Sequence, residues 1–125
     1  MPQSDRPRQR ILVVDDEQSI IDILQEHLAT TYDVTSVRNG KRALELVRAT
    51  RPDLIFLDIA MPGINGMDVL KAVKELDPTI PVITITANAD TSLAAEVIKH
   101  GAFSYLPKPF DLRYLEHLAA TALSR

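Results

Sequence analysis

Ile11-Leu12-Val13-Val14-Asp15-Asp16 and Leu54-Ile55-Phe56-Leu57-Asp58 are two runs of consecutive apolar residues, each closed by aspartate. An unbroken apolar run, unlike an alternating one, belongs to a strand covered on both faces, as in the interior of a parallel sheet. Ile11–Val14 and Leu54–Leu57 are therefore expected at the centre of such a sheet, with the aspartates at their carboxyl ends. On either side of them, Asp33–Val37, Val82–Thr86 and Phe103–Leu106 also have strand character. Segments of helical period separate the strands: Gln18–Thr30, Lys41–Thr50, Met67–Leu76, Thr91–His100 and Leu112–Leu123. Ile20, Ile23, Leu24 and Leu28 are expected to share one face of the first helix, and Leu112, Leu115, Leu118, Ala119 and Ala122 one face of the last. Asp111 is placed to cap the last helix and Gly101 to stop the one before. Pro52, Pro78 and Pro81 fall between elements, where a missing amide donor does no harm.

Five strand-then-helix units imply right-handed crossovers and a doubly wound α/β fold, an open five-stranded parallel sheet with helices on both faces. Such sheets bind ligands beyond the carboxyl ends of their strands, near the point where strand order reverses. The chain has 125 residues, 46% of them hydrophobic and 25% charged, which suits one soluble globular domain. Its apolar runs fall far short of the roughly 20 residues needed to span a bilayer. The first residues lack the apolar core of a secretory signal, and the chain has no cysteine for disulfides or thiolate metal sites. A cytoplasmic setting is expected.

The net charge of -3 is unevenly spread, because Arg6, Arg8 and Arg10 outweigh Asp5 near the start. The remainder is acidic and offers no electrostatic footprint for duplex DNA, so direct nucleic-acid binding is not expected. Residues 1–9 are read as a flexible tail and residues 10–125 as the domain.

The strand ends bring together an informative set: Asp15 and Asp16, Asp58, Thr86 and Lys108. Two unit charges about 4 Å apart at an effective dielectric near 20 interact by about 4 kcal/mol, so three clustered carboxylates need a counter-charge. A hard divalent cation, Mg²⁺ or Mn²⁺, together with the Lys108 ammonium, would supply it. The same arrangement makes Asp58 a nucleophile for phosphoryl transfer, with Thr86 offering a hydroxyl to a phosphoryl oxygen. Taken singly, each has a plainer role: the acidic pair as a helix cap, Asp58 as a turn residue, Thr86 as a strand threonine, Lys108 as a solvated loop lysine. Joint placement at the ends of different strands favours a site. His27, His100 and His117 lack metal-like spacing, and Met61 and Met67 suit packing.

At these residues the chain resembles the receiver domains of bacterial response regulators, from Arg10 to about Leu123. Ile11 through Glu17 is similar to the family's first strand and acidic pair. Leu57-Asp58-Ile59-Ala60-Met61-Pro62-Gly63 and Gly66 are similar to its phosphoacceptor loop, Ile85-Thr86-Ala87 to its switch threonine, and Gly101-Ala102 through Tyr105 and Lys108-Pro109-Phe110 to its last strand and lysine motif. The resemblance implies a flavodoxin-like strand order, 2-1-3-4-5. It implies Mg²⁺ bound directly by Asp16, Asp58 and the Ala60 carbonyl, with Asp15 acting largely through water, and no other cofactor. It makes Tyr105 a switch aromatic that moves with Thr86, and the Lys108–Pro109 peptide cis. The implied partners are a sensor histidine kinase or a histidine phosphotransfer protein, with possible homodimerisation through the face of the fourth helix, fifth strand and fifth helix. Ser104 stands where many DNA-binding relatives carry an acidic residue of that dimer face. Ala60 and Asn88 occupy the variable positions that tune dephosphorylation. Gly101 through Leu112 looks closest to receivers attached to ATPase-type transcription activators or hybrid kinases.

Three rival functions differ in what they require. An aspartate-nucleophile phosphatase wants a second acid two residues after the nucleophile, where this chain has Ala60. A flavin-binding electron carrier wants a Gly-, Ser- or Thr-rich phosphate loop after the first strand, where Asp15-Asp16-Glu17 would repel the phosphate. An unphosphorylated interaction module of the same fold has no use for the full set of Asp15, Asp16, Asp58, Thr86 and Lys108.

Overall fold

The computed structural model describes residues 7–60, 65–86 and 91–124. Five strands, β1 (Arg10–Val14), β2 (Asp33–Val37), β3 (Leu54–Asp58), β4 (Val82–Thr86) and β5 (Ser104–Pro107), alternate with five helices. The helices are α1 (Gln18–Leu28), α2 (Gly40–Thr50), α3 (Gly66–Leu76), α4 (Thr91–Lys99) and α5 (Leu112–Leu123). All strand pairs are parallel, in the order β2-β1-β3-β4-β5. This is the flavodoxin-like order that the resemblance implied, and the order reverses between β1 and β3.

The side-chain period of two in a strand sends successive residues to opposite faces, and the apolar runs use both. Leu12, Val14, Ile55 and Leu57 pack with Ala43 and Val47 of α2, Val69, Leu70 and Val73 of α3, and Val97 of α4. Ile11, Val13, Leu54, Phe56, Ile83 and Ile85 pack on the other face with Ile21, Leu24 and Leu28 of α1 and Leu115, Leu118, Ala119 and Ala122 of α5. The central strand β3 is buried along its whole length, whereas the edge strand β2 alternates towards solvent.

Several boundaries depart from expectation. α1 ends at Leu28 rather than Thr30, because the Leu28 carbonyl accepts from the amides of both Thr31 and Tyr32 and turns the chain into β2. Its core residue is Ile21, not Ile23, which stays 39% exposed. β5 begins at Ser104 rather than Phe103, although the Phe103 amide already donates to Val82. Asp111 caps α5 by accepting from the Arg113 amide at 2.8 Å, and Gly101 ends α4 with φ of 102°. Of the stretch expected to be a tail, residues 1–6 lie outside the described residues. Arg8 donates to the carbonyls of Ala29 and Thr31, and the Gln9 side chain donates to that of Leu123. No helix among the described residues is long and apolar enough to cross a membrane.

Candidate phosphoacceptor and metal site

Each expected site residue is delivered by the end of a strand. The Asp15 amide continues the β1–β2 ladder by donating to Val37, which leaves its side chain at the sheet edge. Asp15 Oδ1 accepts from the Glu17 amide at 2.9 Å, while Oδ2, fully buried, has no hydrogen-bond partner. Asp16 follows, half-buried, and its carbonyl accepts from Arg38 Nη2 at 2.8 Å and Nε at 3.3 Å. Asp58 ends β3, 3% exposed, and its Oδ1 accepts from the Ala60 amide at 3.0 Å. Thr86 ends β4, equally buried, and its carbonyl accepts from the Lys108 amide at 2.7 Å, which ties the loop after β5 to the site. The Lys108–Pro109 peptide is cis.

Carboxylate oxygens of Asp15, Asp16 and Asp58 all lie within 4.8 Å of one another. Lys108 Nζ stands 3.4 Å from Asp15 Oδ2, 3.9 Å from Asp58 Oδ2 and 2.7 Å from Glu17 Oε1. Asp58 Oδ2 is thus the oxygen turned towards the lysine. Lys108 thus lies within 4 Å of three carboxylates, those of Asp15, Glu17 and Asp58, with Asp16 beside them, and the cluster is under-neutralised. Burial, then the charge of Asp15, pushes the Asp58 carboxyl up to about 6 against the pull of the Ala60 amide and Lys108. Burial also raises Asp15, opposed by the Glu17 amide and Lys108. Burial alone would depress Lys108, but its bond to Glu17 and the charges of Asp15 and Asp58 outweigh that and raise it. A buried carboxylate oxygen that makes no hydrogen bond and has only an ion-pair contact with Lys108, beside two more carboxylates, fits a hard oxygen-seeking cation.

The structure brings Asp15, Asp16, Asp58, Thr86 and Lys108 to one edge. Ala60 follows Asp58 there with only a methyl side chain. Tyr105 lies on β5, half-buried against the α2–α3–α4 side of the sheet. Met61, Pro62, Gly63, Ala87 and Asn88 lie outside the described residues. Met67 packs against the core. His27 lies 3.7 Å from Glu116 and His100 lies 3.4 Å from Glu96, both remote from the cluster in the fold. Two participants went unassigned in the sequence: Glu17 as the nearest partner of Lys108, and Arg38 as the donor to Asp16. Arg38 sits one residue past β2, so reading all five strand ends would have found it.

Beside Lys108, an apolar cleft of about 390 Å³ is lined by Ile20, Ile23, Pro109, Phe110 and Leu112. A more polar cleft of about 750 Å³ lies at the opposite ends of the strands, against Gln9, Asp53 and Pro81. That is the wrong edge for the ligands of such sheets.

Residues 11–120 match the family described as response regulator receiver domain. The DNA-binding transcriptional regulator NtrC of Escherichia coli (strain K12) is 40% identical over 115 residues, 91% of this chain and 24% of NtrC. The DNA-binding response regulator MtrA of Mycolicibacterium smegmatis is 40% identical over 112 residues, 89% of this chain and 49% of MtrA. The chain therefore spans about a quarter to a half of these curated relatives. The receiver domain of the Francisella response regulator 1452 superposes with a TM-score of 0.88 at 29% identity, covering 94% of this chain and 98% of that one. NtrX from Brucella abortus gives 0.88 at 31% identity, covering 94% of this chain and 27% of that one.

Proposed function

Because this chain belongs to the response regulator receiver domain family, we propose that Asp58 is its phosphoacceptor in a two-component or phosphorelay pathway. The observation that carries this reading is the buried Asp58 carboxylate, turned towards Lys108 and flanked by Asp15 and Asp16. An Asp58 carboxylate oxygen attacks the phosphorus of a phosphohistidine on a sensor kinase or phosphotransfer protein. The new P–O bond forms as the P–N bond breaks, and the leaving imidazole keeps the electron pair. With its carboxyl near 6, Asp58 is mostly ionised at neutral pH and needs no general base.

Asp16, Asp58 and the Ala60 carbonyl would hold Mg²⁺ or Mn²⁺, and Asp15 would reach it through water. When bound, the ion neutralises the carboxylates and the oxygens in transfer. Lys108 supplies the protein's own positive charge to the phosphoryl group, and the Thr86 hydroxyl bonds one of its oxygens. Tyr105 moves with Thr86 and remodels the α4–β5–α5 face, where a partner or second copy docks. The apolar cleft beside Lys108 supports a protein phosphodonor, since it offers a docking surface next to the acceptor.

On this reading residues 10–125 form a cytoplasmic regulatory domain that catalyses only its own phosphorylation and dephosphorylation, with residues 1–9 as an N-terminal tail. Ala60, in place of a second acid, argues against phosphatase turnover. The test is intact-mass measurement after acetyl phosphate or a phosphorylated donor protein is supplied with Mg²⁺. The expected increment is about 80 daltons, one phosphoryl group, absent in Asp58→Asn. No increment with either donor overturns the reading.

A further inference from the structure

The Lys108 ammonium is shared unequally. Its shortest contact with a carboxylate is to Glu17, at 2.7 Å, while Asp15 Oδ2 stands 3.4 Å and Asp58 Oδ2 3.9 Å away. Glu17 is a different kind of residue from its neighbours. Its side chain is 55% exposed, against 0% for Asp15 and 4% for Asp58, and it is not one of the three carboxylates, Asp15, Asp16 and Asp58, gathered within 4.8 Å of one another. It sits at the N-cap position of α1 yet makes no side-chain capping bond, so the helix does not account for its orientation. Its carboxylate instead reaches across to the loop after β5, 91 residues away in the chain.

An ammonium has three N–H donors but a single positive charge, so a phosphoryl group on Asp58 meets a Lys108 already paired with solvent-facing Glu17. We infer that Glu17 is a positioning residue that holds Lys108 off the phosphoacceptor, so that the two compete for a single positive charge. This inference rests on the phosphoacceptor reading and concerns the regulation of that same site. A phosphoryl group on Asp58 has to share the Lys108 charge with Glu17, and that sharing weakens the phosphorylated state. Removing the Glu17 charge releases Lys108 to the phosphoryl group.

The probe is beryllofluoride, a phosphoryl mimic that binds a receiver aspartate without covalent chemistry, followed by ¹⁹F NMR at fixed Mg²⁺. Partly exposed ion pairs have small effects, so Glu17→Gln is expected to tighten beryllofluoride binding about two- to fivefold. In a Lys108→Ala background, the same substitution should change nothing, because the competition has lost its object. Amide spectra of each variant confirm that it is folded, and a Mg²⁺ titration followed by the amide signals separates loss of the ion from loss of the mimic. Equal affinities for Glu17→Gln and the parent chain overturn the inference, as does an identical change with and without Lys108. Failure of the parent chain to bind beryllofluoride at all overturns the phosphoacceptor reading, and this inference with it.

Discussion

Asp58 shows how much one residue's environment can change its chemistry. Its carboxyl, raised from 3.8 to about 6 by burial and by Asp15, is more easily protonated in the folded state than in the unfolded one. Its contribution to metal-free stability is therefore fully present below about pH 4 and is lost as pH rises through about 6. A shift of this size corresponds to at most about 3 kcal/mol. Asp58→Asn removes the charge, so in EDTA its melting midpoint should exceed that of the parent chain by several degrees at pH 7.5 and by little at pH 4.5. Calorimetry at both values checks this, and a gap independent of pH would contradict it. Asp15 is shifted in the same direction, so part of the slope should remain in the variant. Thr86 supplies a second prediction. Its carbonyl anchors the Lys108 amide through the backbone, a contact any residue can make, so Thr86→Ala should still gain the phosphoryl mass. Without the hydroxyl, the chemical-shift changes of α4, β5 and α5 on adding beryllofluoride should shrink to less than half; undiminished changes would remove Thr86 from the switch.

Among the elements, the join between β3 and α3 is the most constrained. The Gly66 amide donates to the Ile59 carbonyl, and a Cβ at Gly66 would lie 2.5 Å from Ile59 Cα and 2.7 Å from the Asp58 carbonyl oxygen. All of these are backbone atoms, which cannot rotate aside. Gly66→Ala should therefore push α3 away from the end of β3 and cost about 1–3 kcal/mol or more, the range of an overpacked core. Urea denaturation followed by circular dichroism measures this, and a loss below about 0.5 kcal/mol would mean that the helix start is free to shift. The same displacement moves the Asp58 backbone, so the variant should also be phosphorylated more slowly.

For the molecule as a whole, a cation that binds only the folded chain stabilises it by mass action, about 2.7 kcal/mol at a hundredfold excess over its dissociation constant. Millimolar Mg²⁺ should raise the melting midpoint by several degrees at pH 7.5 and by much less at pH 5, where protons compete for Asp58 and Asp15. Asp16→Asn should lose most of the gain. A midpoint unmoved by Mg²⁺ at pH 7.5 would argue against the metal site. The sheet and its two apolar layers hold the carboxylates together at a cost, part of which a bound cation would relieve.

The apolar runs Ile11–Val14 and Leu54–Leu57, with aspartates behind them, were enough to determine the parallel sheet, its central strands and the edge where Asp15, Asp16, Asp58, Thr86 and Lys108 meet. Those features are legible because burial on both faces and strand polarity are local properties of a chain, and strand ends are positions along it. What the sequence left open depends on distances between residues far apart in it. Ile21 rather than Ile23 turned inward, because the axial rotation of α1 is decided by packing against β1 and α5. Lys108 lies nearer Glu17 than Asp58, and Arg38 holds the Asp16 carbonyl, because the loops after β1, β2 and β5 come together only when the sheet closes. The sharing of one ammonium among three carboxylates is a matter of a few tenths of an ångström to about an ångström, and only the folded chain sets those separations.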